Sequence, residues 1–209
     1  LRTWDLIKLS YMNIQEQLRT EKTINRVYRE IAGVVHDHGW SFAVLAMPSR
    51  KQGNADIRAF WKSIGLASIQ PDAAFDACGK DNIFADDYHL ATFGHQVTAE
   101  ELFRYLADAL PCMEQIPEPW RHRDFTEVRR TYLAGREAQR ACDVEKAEHF
   151  YCAAAALEKG YCHLGAVQLT KITRKLLDGA KTREALPLAQ TAVALSPKDL
   201  MATQALGLA

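Results

Sequence analysis

The chain has no C-x-x-C pair, no surplus of charge of either sign and no long apolar run. Its five cysteines (Cys78, Cys112, Cys142, Cys152, Cys162) are odd in number and scattered, which indicates neither a disulfide framework nor a zinc knuckle. They read as small buried apolar residues. Lys plus Arg and Asp plus Glu both total 26, so no net field points to nucleic acid or to an anionic membrane as partner. No stretch approaches the ~20 apolar residues of a membrane span. An initiator Met is also lacking, and Leu1-Arg2-Thr3-Trp4-Asp5 does not read as a signal peptide, so we expect a piece of a longer protein. What is present, 48% hydrophobic and 25% charged residues over 209 positions, fits one or two globular domains.

The apolar spacing predicts helix over 3–18 (Trp4, Ile7, Tyr11, Ile14, Leu18) and over 24–38 (Ile24, Val27, Tyr28, Ile31, Val34, Val35), the latter closed by Gly39. The run Trp40 to Met47 follows, rich in apolar residues and ended by Pro48, and reads as a buried parallel strand. Asn54 is placed to cap a helix carrying Ile57, Phe60, Trp61 and Ile64, with Gly65 at its end. Leu66 to Gln70 reads as the next strand, and 71–85 as a polar loop. Helix and strand alternating with short connections is the pattern of an α/β parallel sheet, whose working groups gather beyond the strands' carboxyl ends. From Thr92, the residues Val97, Leu102, Tyr105, Leu106 and Leu110 line a helix face toward the expected sheet. Three prolines between Pro111 and Pro119 then mark a domain boundary.

The stretch Phe84-Ala85-Asp86-Asp87-Tyr88-His89-Leu90-Ala91-Thr92-Phe93-Gly94-His95 lies ahead of that helix. An acid three residues before a histidine can fix the imidazole tautomer through one hydrogen bond, which is the pairing that Ser-His-Asp chemistry needs. Asp86 is the expected orienter and His89 the expected base. A structural alternative is a carboxylate and histidine that only fasten a loop. His95 is expected to pack at the helix start. A metal reading would gather His36, His38, His89, His95 and Asp86, but His-x-His lacks the i, i+4 spacing of two ligands on one helix face, so no metal and no cofactor are expected.

Asp-x-x-His-Leu-x-x-x-Gly-His before a helix resembles the last block of the SGNH (GDSL-type) esterases and acyltransferases, in which the Asp and the His are triad members. The order of elements over residues 20–110 is similar to the carboxyl-terminal half of such proteins. Where the family commonly has glycine after the acid, this chain has Asp87. The resemblance implies a partial three-layer α/β/α domain over residues 1–110, SGNH- or flavodoxin-like. It implies a serine esterase or O-acyltransferase acting on an ester-bearing small molecule or saccharide. The family's Gly-Asp-Ser block and its Gly and Asn oxyanion donors have no counterpart here, and Ser10, Ser41, Ser49, Ser63, Ser68 and Ser196 all lack that context. Each oxyanion donor is worth about 10²–10³ in rate, so these 209 residues by themselves are expected to be nearly inert.

After a linker at 111–124, residues 125–209 turn to alanine-rich helix resembling tetratricopeptide repeats. Gly135, Ala147, Tyr151 and Ala154 occupy the small, small, aromatic and small positions, and Ala185, Ala192 and Pro197 take a second frame. Ala147 to Ala185 and Ala154 to Ala192 are both 38 residues apart against the usual ~34, so an insertion is expected between repeats. Leu206-Gly207 falls on a third repeat. Such repeats imply a protein partner. Two functions therefore stand side by side: an esterase or acyltransferase with a protein-binding tail, and a non-enzymatic interaction module with a degenerate SGNH-like part.

Overall fold

The computed structural model describes residues 21–47, 55–109 and 115–209. The helix expected over 3–18, the Asn54 cap and the Pro111 stop lie outside them. Two compact units divide close to residue 70.

In the smaller unit, α1 (Glu21–Asp37) leads to β1 (Ala43–Leu45), then α2 (Ala55–Ser63) and β2 (Ala67–Ile69). The two strands pair in parallel, Ala43 opposite Ala67 and Leu45 opposite Ile69, with α2 as the crossover that parallel strands require. Gly39 and Gly65 end the two helices at φ of 61° and 77°, where a side chain would be strained. In both turns the next residue's N–H reaches back to an orphan carbonyl: Trp40 to Val35 at 2.9 Å, and Leu66 to Trp61 at 3.0 Å. The core is small. Val44, Ala46, Trp61 and Leu66 are buried, with Tyr28, Ala32 and Phe42 packed on them. The face expected on α1 is only partly used, because Val27 and Val34 are exposed while Ala32 packs in their place.

The larger unit contains α3 (Asp72–Cys78), α4 (Lys80–Ile83), α5 (Thr92–Ala109), α6 (Glu118–Arg121), α7 (Thr126–Arg140), α8 (Val144–Leu157), α9 (Gly160–Asp178), α10 (Thr182–Leu195) and α11 (Leu200–Leu208). Helices α7 to α11 pack each against the next. Gly135 is required where α7 meets α8, since a Cβ there would sit 2.7 Å from the Tyr151 ring. Ala147, Tyr151, Ala154, Ala185 and Ala192 have no solvent exposure. The 38-residue offset has a structural form. Helices α8 and α10 both have 14 residues, but α9 has 19 against 15 in α7, so the additional four are one turn at the start of α9. The turns repeat with the same offset: Cys142 at φ 61° and Ala180 at φ 56° each end a helix in the left-handed region. The N–H of Asp143 bonds to Ala138, and that of Lys181 to Leu176, both at 2.9 Å.

The three-layer α/β/α domain expected over residues 1–110 is not formed. Among the described residues the only sheet has two strands of three residues each, and the chain is mostly helical. A sheet that narrow cannot separate two layers of helices. The expected polar loop at 71–85 is two short helices that bury Phe75, Cys78 and Ile83. Helix α5 turns its apolar face to aromatic residues of the repeats rather than to a sheet: the Phe93 ring stacks on Tyr132 at 4.7 Å and meets Tyr161 edge-on at 6.3 Å. The segment 71–109 thus belongs to the same compact unit as the repeats.

Candidate functional site

Residues 84–90 form a closed loop between α4 and α5. Its stems are joined by an isolated antiparallel bridge between Phe84 and Leu90, by the Ala85 N–H to the His89 carbonyl and by the Ala91 N–H to the Ile83 carbonyl, both at 2.8 Å. Gly94 sits in the first turn of α5 directly against the Ile83 carbonyl oxygen, and a Cβ there would collide with it. The glycine five residues after the histidine therefore has a local cause: it lets α5 close onto the loop's first stem.

Within the loop Asp86 uses both carboxylate oxygens. Oδ1 accepts the N–H groups of Tyr88 and His89, each at 2.8 Å, and Oδ2 lies 2.8 Å from Nδ1 of His89. The two backbone N–H bonds, Tyr88 first, and then the His89 side chain hold the Asp86 carboxyl down at about 2. An ionised carboxylate can only accept, so the hydrogen on Nδ1 faces Asp86 and the Nε2 lone pair faces away. No described residue is hydrogen-bonded to Nε2. Both side chains are open to water, His89 at 79% and Asp86 at 57% exposure.

The pair expected from the sequence is therefore brought together, with the imidazole Nδ1 against the Asp86 carboxylate. The other candidates are not joined to it. His95 is exposed at the start of α5 rather than packed. His38 bonds through Nδ1 to the Val34 carbonyl at 2.9 Å, and His36 lies 3.6 Å from Asp37. Among the described residues no three His, Cys, Asp or Glu side chains gather as metal ligands. Ser63 donates to the Phe60 carbonyl at 2.7 Å and Ser68 accepts from Gln70 at 2.8 Å, while Ser10 and Ser49 lie outside the described residues.

Family models, curated proteins and solved structures give no match to this chain. The site is read from its own geometry. No helix among the described residues is long and apolar enough to cross a membrane.

What sequence reasoning missed is the set of polar contacts that α7 makes with the segments on either side of the loop. Arg129 of α7 bonds through Nε to Glu100 at 2.7 Å and through Nη2 to Glu101 at 2.8 Å, with Glu100 only 3% exposed. Burial pushes the Glu100 carboxyl up from its ordinary range, and Gln96 and the Arg129 guanidinium pull against it. Arg140 donates to the Asn82 side-chain carbonyl at 2.6 Å, and Asn82 donates to the Cys78 carbonyl at 2.9 Å. The available signal was a glutamate at position 100 on the face of Val97, and an arginine at 129 beside Val128 and Tyr132. Opposite charges on two apolar faces are costly to bury unless paired.

Proposed function

We propose that Asp86 and His89 are the orienter and general base of an acyl-transfer site, in a serine esterase or O-acyltransferase of the kind the Asp-x-x-His block resembles. The observation that carries this reading is the 2.8 Å contact of Nδ1 with Asp86 Oδ2, with no described residue hydrogen-bonded to Nε2. In acyl transfer Nε2 takes the proton from a hydroxyl nucleophile, the carboxylate stabilises the imidazolium, and the proton then goes to the leaving alcohol. The nucleophile and oxyanion donors are not among the residues of this site, so the pair is one half of the machinery. Its exposure has a consequence: in water the carboxylate stabilises the imidazolium weakly, and the pair needs covering by substrate or by the serine-bearing segment to act strongly. An ester-bearing small molecule or an acylated saccharide is the substrate class, and the helical repeats take a protein partner. In the full-length protein, His89→Ala is expected to cut turnover of a small acetyl ester by about 10³-fold or more, leaving the oxyanion and binding contributions. Full activity in that variant would remove the assignment.

A second reading is favoured by the way Asp86 spends both oxygens inside its own loop. In that reading the pair fastens the loop of a non-enzymatic interaction module. Absence of ester cleavage in the full-length protein, together with a partner that binds the repeats equally with and without His89, supports it over the first.

A further inference from the structure

We propose that the first repeat helix positions the His89 imidazole, with Tyr132 and Arg140 as the positioning residues. The inference rests on the acyl-transfer reading for its functional meaning. Three side chains of α7, Arg129, Tyr132 and Arg140, lie at positions i, i+3 and i+11, which share one helix face. Each holds a different point of the segment that carries the loop. Arg140 grips Asn82, the residue before the first stem at Ile83–Phe84. Tyr132 stacks at 29° on Phe93, two residues past the second stem at Leu90–Ala91, and both rings are at most 1% exposed. Arg129 fixes α5 two turns further on through Glu100 and Glu101.

The loop is closed by its own hydrogen bonds, and its stem residues Ile83 and Phe84 are buried. Asp86 and His89 are exposed; the ring is tied to Asp86 within the loop, and the direction of that tied pair is inherited from the two stems. A catalytic group must be kept within about 0.5 Å and 10–20° of its working geometry, and a misplacement of ~1 Å costs about 10²-fold. Side chains reaching from α7 over separations of 39 and 58 residues supply that fixing. The repeats are thereby part of the site's frame, and a ligand that shifts α7 acts on the dyad through these contacts.

The test is made on the full chain, labelled with nitrogen-15, in the wild type, Tyr132→Phe, Tyr132→Leu and Arg140→Ala. Two quantities are read: the share of the Nδ1-protonated tautomer of His89 from its ring nitrogen shifts, and the exchange rate of the Ala91 amide that closes the loop. Tyr132→Phe keeps the ring and is expected to match the wild type in both. Arg140→Ala loses one hydrogen bond and is expected to speed Ala91 exchange about fivefold, with the Nδ1-protonated share falling. Tyr132→Leu is expected to shift both further. If Tyr132→Leu unfolds the chain, Arg140→Ala decides alone. Unchanged ring shifts and unchanged Ala91 exchange in Arg140→Ala overturn the proposal. Neither readout involves ester cleavage, so an inactive full-length protein with these shifts present would refute the acyl-transfer reading and leave the positioning intact.

Discussion

The two units solve the same problem with unequal means. The smaller one sets two three-residue strands against α1 and α2 and, among the described residues, buries Val44, Ala46, Trp61, Leu66 and Ile69, with the Trp61 indole N–H finding no partner among them. The larger one stacks Phe93, Tyr132, Tyr151 and Tyr161 into one aromatic cluster, none more than 1% exposed, and lines its helix contacts with alanines that touch no solvent. The difference teaches where order around the candidate site originates. A parallel sheet is expected to position catalytic groups at its strand ends; here Asp86 and His89 stand on a loop whose stems are gripped by a helical array. Cooperativity should follow the same division.

Arg129→Ala is the sharpest way to break the comparison. It leaves Glu100 buried without its guanidinium, and removing one partner of a buried pair costs about 3–5 kcal/mol. The main thermal transition should fall accordingly, and the amides of α5 should lose protection together with those of α7. Trp61→Ala is the control from the other unit: it is expected to unfold α1, α2 and the strands while that main transition stays where it was. A main transition lowered as far by Trp61→Ala as by Arg129→Ala would mean that one cooperative body, not two, had been cut at residue 70.

Much of the local structure was legible. The left-handed turns at Gly39 and Gly65, the second strand within a residue at each end, α5 to its last turn and the small positions of the repeats follow from spacing and turn chemistry that act over a few residues, whereas of the run from Trp40 to Met47 only Ala43–Leu45 is strand. The Asp86 and His89 contact was legible for the same reason, since three residues of loop suffice to bring them together. What could not be read was which face met which. Val97 and Phe93 make an apolar stripe that suits a sheet or a helix equally well, and Phe75, Cys78 and Ile83 are too few around Gly79 to announce two helices. The α/β expectation failed because two short β-rich runs were extrapolated to a full sheet. The residues that tie α5 to α7, Glu100 and Arg129, are 29 apart in sequence and informative only as a pair.

The repeat offset can be sharpened by smaller effects. Ala154→Leu and Ala192→Leu stand at equivalent positions, each without exposure, so each should overpack its helix pair and cost about 1–3 kcal/mol by thermal or urea unfolding. Similar losses at both would tie the two hairpins to one 38-residue frame; a tolerated leucine in place of Ala192 would show that the second hairpin is packed differently. Ala180→Gly works in the opposite direction. Ala180 holds φ at 56° where an L side chain is strained, and glycine there should gain about 0.5–1 kcal/mol after its greater unfolded-state entropy is subtracted. A loss of stability would mean that the turn is not held in the left-handed region.

The smallest effect on stability, and the one that separates the two readings of the loop, is expected from Asp86. Its carboxyl is held at about 2 by the Tyr88 and His89 N–H groups and the His89 ring, below the ~3.9 of an unfolded aspartate. A depressed folded value means that the contribution is fully present above about pH 4 and lost as pH falls through about 2. The carboxyl carbon shift of Asp86 should therefore titrate near 2, and the His89 Nδ1 proton signal should fade over the same range; a midpoint close to ~4 would mean that the loop bonds are not formed in solution. Asp86→Asn then divides fastening from catalysis. The amide oxygen can still accept the two backbone N–H groups, so the loop should keep its fold with little change in thermal stability. The amide nitrogen, now a donor facing Nδ1, forces the imidazole proton onto Nε2, where a base needs its lone pair. If the pair only fastens the loop, the Asp86→Asn exchange is almost silent; if it is the base and orienter of an acyl-transfer site, turnover in the full-length protein falls by about 10³–10⁴-fold with the loop intact.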